Sequence, residues 1–73
     1  MKIRYFSDTD TAFIEFSDKP VMETKEISEN LYIDTDESGN IVSMTIEHAK
    51  EKANMSEITY LQMDSNSQKT AHA

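Results

Sequence analysis

Lys2-Ile3-Arg4-Tyr5-Phe6 alternates in side-chain character, with Ile3 and Tyr5 on one face. Thr11-Ala12-Phe13-Ile14-Glu15-Phe16 does the same, with Ala12, Ile14 and Phe16 together. A period of two marks a strand with one face turned to a core. Between these runs lies Ser7-Asp8-Thr9-Asp10, whose short oxygen-bearing side chains bond readily to nearby backbone and favour a turn. The simplest connection is a hairpin. Ser17-Asp18-Lys19-Pro20 is the next break, because proline cannot donate to a sheet ladder.

Residues 22–27 alternate poorly and carry Glu23, Lys25 and Glu26, which predicts a solvated edge strand; charge there discourages edge-to-edge aggregation. Glu29-Asn30 reads as a tight turn. Leu31-Tyr32-Ile33-Asp34 is the clearest strand, apolar on both faces. Asp36-Glu37-Ser38-Gly39-Asn40 is a hairpin loop holding the only glycine of the chain where a positive φ is needed. Residues 41–46 form a further strand with Val42, Met44 and Ile46 facing one way. From His48 to Ala53 good helix formers take over, in a helix too short to stand without docking on the sheet. Asn54 suits a left-handed stop. Ile58, Thr59 and Tyr60 favour a last short strand over residues 57–63, the alternative being one helix from 47 to about 62. The fold class is therefore α+β: a small, mainly antiparallel β-meander of five to six strands with one short C-terminal helix. The expected domain is residues 1–63, with 64–73 as a disordered tail whose only apolar residue type is alanine.

Composition narrows the functions. The chain has 73 residues and no cysteine, which excludes a disulfide scaffold, a cysteine-based zinc site and a thiol nucleophile. No run of 18 apolar residues and no signal-peptide pattern occurs, so a cytoplasmic protein without membrane contact is expected. The net charge of −7 argues against binding to nucleic acid, whose affinity rests on neutralised phosphates. The acid is uneven: within 21–40, Lys25 stands against Glu23, Glu26, Glu29, Asp34, Asp36 and Glu37. That segment is either a solvated face or a surface for a basic partner, and Glu23, Glu26, Glu29 and Tyr32 are the candidate contacts.

Several groupings could carry chemistry. Asp34-Thr35-Asp36-Glu37-Ser38-Gly39 copies the opening of a calcium loop, but its twelfth position is Thr45 and not a bidentate glutamate; a plain turn is the expectation. Asp8 and Asp10 could pair as acid and base, although two acids in a short hairpin turn are there for turn chemistry more often than for catalysis. His48, near Glu47 and Glu51, reads as an exposed junction residue, and His72 has no partner in the sequence. An enzyme is not expected, and no cofactor or metal is implied. Phe6, Phe13 and Tyr32 lie on the opposite side of their strands from Ile3, Ile14, Leu31 and Ile33. One short helix cannot cover both sides of a sheet, so these aromatics are the candidate interface of a homodimer or higher oligomer.

The order of blocks resembles the domain of unknown function 2283 family, small proteins of bacteria, archaea and phages. The matching residues are Met1-Lys2-Ile3, Tyr5, Asp10 and Ala12-Phe13-Ile14, then Pro20-Val21, Thr24-Lys25-Glu26-Ile27 and Leu31-Tyr32-Ile33-Asp34. They continue through Asp36-Glu37-Ser38-Gly39, Ile41-Val42, Glu47 and Ala49. Phe6 stands where the family usually has Asp, Ser43 where it often has Gly, and Glu47-His48 is displaced from the usual Glu-aliphatic-Leu. The resemblance implies a small β-rich fold and no established activity. Some members lie beside genes for small ribonuclease toxins and are treated as candidate antitoxins. The resemblance thus implies a protein-binding module that neutralises a small basic toxin. The alternatives are a homo-oligomeric structural or small-ligand-binding protein, and a phage-type inhibitor of a nucleic-acid enzyme.

Overall fold

The structure is a computed structural model that describes residues 1–64. Five strands form one antiparallel sheet: β1 (Lys2–Phe6), β2 (Thr11–Glu15), β3 (Glu23–Ser28), β4 (Leu31–Thr35) and β5 (Ile41–Glu47). A single turn of helix, α1 (Ala49–Lys52), follows. The α+β reading with one short helix is the architecture found. The spatial order is β1-β2-β5-β4-β3, so a β1–β2 hairpin meets a β3–β4–β5 meander and β5 becomes the central strand.

The register sorts the side chains into two faces, because partners across an antiparallel ladder point the same way. Ile3, Ile14, Met44 and Ile33 form one row, and Tyr5, Ala12, Ile46 and Leu31 form the next on the same side. The opposite face carries Arg4, Phe13, Thr45, Tyr32 and Glu26 in one row. Phe6 and Glu47 sit on that side too, through Thr11. Among the described residues the buried apolar ones are Ala12, Val42 and Ala49, none larger than valine. Among the described residues, a single layer of sheet with one helical turn offers little to bury a large side chain against.

Turn chemistry sets the hairpins. In the β1–β2 loop, Thr9 N–H donates to the Phe6 carbonyl (3.3 Å), and Asp10 follows at φ 55, a left-handed conformation that Asp tolerates better than most residues. In the β4–β5 loop, Gly39 N–H donates to the Asp36 carbonyl (3.0 Å) and Gly39 has φ 86. A β-carbon added at Gly39 would meet nothing within 4 Å, so only backbone strain opposes a side chain there. Gly39→Ala is expected to cost about 1–2 kcal/mol, with Gly39→Asn recovering part of it. Urea denaturation of the two variants checks this, and equal stability of Ala and wild type would contradict it.

β3 is an edge strand exposed along its whole length, as its charges predicted, with a bulge between Glu26 and Ser28. The sequence reading differs from the structure past residue 53. Residues 57–63 form neither a strand nor a continuation of the helix. Propensity there finds no ladder partner among the described residues, and Ile58, Tyr60, Leu61 and Met63 stay exposed. Asn54 is not the left-handed stop. The helix ends by Ala53 turning extended (φ −149), and the Asn54 side chain accepts from Ser56 N–H (3.1 Å) and Oγ (2.6 Å). The positive φ is at the other end of the helix, at His48 (φ 55). The expected tail lies, apart from Asp64, outside the described residues, as does His72.

Candidate functional site

The aromatic face is built by strand alternation. Phe13 on β2 and Tyr32 on β4 flank Thr45 on the central strand, so their backbone positions lie two strand spacings, about 10 Å, apart on either side of a small β-branched floor. Tyr32 is paired with Glu26 on β3, and Glu47 lies two residues along from Thr45 on the same side. The Glu47 carboxylate, with burial and then the Glu26 carboxylate behind it, pushes the Tyr32 phenol above its usual pKa of 10.0. The phenol therefore stays neutral, a hydrogen-bond donor between two acids. At the far end of the row Arg4 stands beside Phe13 and pairs with Glu15 at 3.6 Å, an exposed contact of little energetic weight. Together these residues make an aromatic-walled slot with carboxylates at one end. An arginine or lysine side chain laid over Thr45 would find a ring on each side and a carboxylate at its tip.

The structure brings together only part of the expected contact set. Glu26 and Tyr32 are direct cross-strand partners. Glu23 pairs with Thr35 and belongs to the opposite face, and Glu29 lies in the turn between β3 and β4. Phe6, Phe13 and Tyr32 do share one face, with Phe6 at its exposed end. Glu47 was not in the expected contact set. The signal for it was present, since Ser43, Thr45 and Glu47 alternate against Val42, Met44 and Ile46.

The other candidate groups are engaged in holding the fold. Asp34 accepts from Thr24 Oγ1 and from Ser43 Oγ, each at 2.5 Å, which ties β3, β4 and β5 together on the aromatic face. The Asp36 carboxylate, 8% exposed, accepts the N–H groups of Ser38 and Asn40 at 2.9 Å each. These bonds, the one from Asn40 foremost, hold its pKa below the ordinary 3.8. Both aspartates of the calcium-like stretch are thus taken up as acceptors for groups of the sheet and the β4–β5 loop. Asp10 accepts the Tyr5 phenol at 2.5 Å and Lys50 N–H at 3.2 Å, and its carbonyl accepts Ala49 N–H at 2.9 Å. Asp8 is exposed in the same turn, and His48 Nδ1 lies 3.9 Å from Glu51 on an open surface. No group of three or more metal-ligating side chains occurs among the described residues. No helix among them is long and apolar enough to cross a membrane.

Searches of curated proteins and of solved structures return no significant match. The family model described as protein of unknown function, DUF2283, matches residues 2–50. That span takes in the whole sheet and the start of the helix, including every residue of the aromatic–acidic face. The chain accordingly belongs to the DUF2283 family.

Proposed function

We propose that this protein is a non-enzymatic protein-binding module that receives a basic partner on its aromatic–acidic face. The observation that carries this reading is the placing of Phe13 and Tyr32 on either side of Thr45, with Glu26 and Glu47 beside the phenol. Rings alone recognise many things, and acids alone are a solvated surface. Set side by side they match one chemistry, a cationic side chain with a flat or aliphatic body. The acidic excess of residues 21–40 adds a long-range field that speeds encounter with a positively charged protein.

The biological form of this reading is an antitoxin-like neutraliser. A small ribonuclease must present lysines and arginines to bind RNA phosphates. A compact acidic protein that occupies those side chains blocks the substrate without any chemistry of its own. The same action would suit a phage-type inhibitor of a nucleic-acid enzyme. Catalysis is not part of the proposal, because Asp10 and Asp34 already serve as acceptors for groups of the fold.

A nine-residue oligoarginine peptide titrated into the labelled protein is the direct test. Amide shifts are expected to concentrate at Phe13, Tyr32, Thr45 and Glu47 and to weaken with salt. Glu26→Gln with Tyr32→Ala and Glu47→Gln should weaken binding by on the order of 10-fold or more, since each carboxylate or ring contact contributes about 0.5–2 kcal/mol. Glu23→Gln with Glu29→Gln should change it much less. Equal losses from the two sets would mean that only net charge is being read, and the slot would be discarded.

A further inference from the structure

We infer that a second copy of this chain covers the apolar face of the sheet, giving a two-layer homodimer with the two aromatic–acidic faces turned outward. The rows Ile3–Ile14–Met44–Ile33 and Tyr5–Ala12–Ile46–Leu31 contain eight uncharged side chains across four strands, and Lys25 of β3 closes the first row beside Ile33. Met44 and Ile46 lie on the central strand with a neighbour on each side, yet neither is buried. Among the described residues no layer lies above them. Helix α1 is four residues long and buries only Ala49, so it closes one end of this face at most. The chain beyond it brings Ile58 and Tyr60 up to Met1 and Ile3 at the β1 edge, where Ile58 remains 60% and Leu61 75% exposed. That segment widens the apolar surface more than it covers it.

Size supports a copy as the occupant. Four strands about 4.8 Å apart and five residues of about 3.3 Å rise give an apolar face of roughly 320 Å² in projection. Two such faces in contact withdraw about 640 Å², before the relief of the side chains is counted. The apolar residues of the two C-terminal segments extend this toward the roughly 1,200–2,000 Å² of a stable interface. Permanence supports it as well. With Ala12, Val42 and Ala49 as the buried apolar residues, the chain needs its cover in order to stay folded. A foreign partner is absent much of the time, whereas a copy is present wherever the chain is made. A face shared with a copy is self-complementary about a two-fold axis, the commonest arrangement of homo-oligomers. Charge on this face is confined to the exposed β3 edge, where Glu23 and Lys25 are of opposite sign, while Glu26 and Glu47 are on the other side. The dimer places self-contact opposite to Phe6, Phe13 and Tyr32 and leaves those aromatics free. It stands or falls independently of the basic-partner reading, because its readout is mass and not peptide binding.

The test uses Met44→Glu and Thr45→Glu, adjacent positions of β5 that point to opposite faces, with sedimentation of the full chain between 2 and 200 µM. The wild type is expected to sediment at twice 8.4 kDa and to melt at a temperature that rises with concentration. Thr45→Glu should remain a dimer. Met44→Glu should be monomeric or unfolded over the same range. A wild type that is a monomer at 200 µM, with a melting temperature independent of concentration, overturns the proposal. This holds whether residues 57–63 or a foreign protein turn out to cover the face. A dimer broken by Thr45→Glu and kept by Met44→Glu overturns it equally, and returns self-association to the aromatic side.

Discussion

Asp34→Ala is expected to destabilise the protein by about 2–3 kcal/mol and to lower Tm by roughly 10–20 °C, the most of any single polar truncation on the sheet. Asp34 sits on β4 with one oxygen on Thr24 of β3 and the other on Ser43 of β5, each at 2.5 Å. The two losses are unequal. Thr24 lies on an exposed edge and can turn its hydroxyl to water at little cost. Ser43 is 2% exposed on the central strand, and its hydroxyl would be left buried without an acceptor. A buried polar group without a partner costs more than the bond itself contributes. The two partners therefore form a cycle. Ser43→Ala in the Asp34→Ala background should recover part of the loss, because removing both members leaves nothing unpaired. Removing one acid also lowers the self-repulsion of a chain with charge −7, which works in the opposite direction but acts through solvent. Thermal melts of the four proteins at one fixed concentration decide the matter. A loss below about 0.5 kcal/mol for Asp34→Ala, or no recovery in the double variant, would show that this acid is not the tie between the three strands.

The same position shows what a sequence of this kind discloses. Alternation in 2–6 and 11–16 locates two strands within a residue, and the run 31–34, apolar on both faces, locates a third. The charges of β3 mark it as an edge for a physical reason, the cost of burying Glu23 or Glu26 in a central strand. The blocks that resemble DUF2283 lie within the span matched to that family or beside it. What the sequence does not disclose is pairing. Nothing along the chain says that β5 enters between β2 and β4, and only that placement makes Ser43 and Thr45 central. Glu47 next to Tyr32, and the separation of Glu23 from Glu26 onto different faces, follow from register alone. Residues 57–63 mislead for the converse reason: Ile58, Thr59 and Tyr60 favour a strand, but a strand is a relation between two segments, and among the described residues no second segment takes part. The contact from Asp10 to Lys50 spans 40 positions and is equally invisible. In the sequence Asp10 is one more turn acid.

That contact gives the second large effect, an expected fall in Tm on the order of 10 °C for Asp10→Ala. Three functions end together. The Tyr5 phenol loses its acceptor, the first N–H groups of α1 lose the carboxylate that receives Lys50 N–H, and an alanine must adopt φ 55. Asp10→Asn separates them, because asparagine tolerates the left-handed conformation and keeps one acceptor oxygen while losing the charge. It should fall between Ala and wild type. The pH dependence follows from the direction of the shifts. The bond from Tyr5, foremost, and then the Lys50 N–H hold the folded Asp10 carboxyl below the ordinary 3.8. Its stabilisation is thus complete above about pH 4 and is lost as pH falls through the folded pKa. Asp36, also lowered, is lost in the same acid window. Tyr5 is raised above the ordinary 10.0 by the same bond to Asp10, so its contribution is complete below pH 10 and is lost as pH rises through the folded value. Melts between pH 2 and 11 should therefore show a plateau with two shoulders. Asp10→Asn should flatten the acid shoulder while leaving the Asp36 share, and Tyr5→Phe should reduce the alkaline one while leaving the share of Tyr32, whose phenol is also raised. An acid limb unchanged in Asp10→Asn would assign that limb to Asp36 and to general charge, and would reduce Asp10 to a residue of the turn.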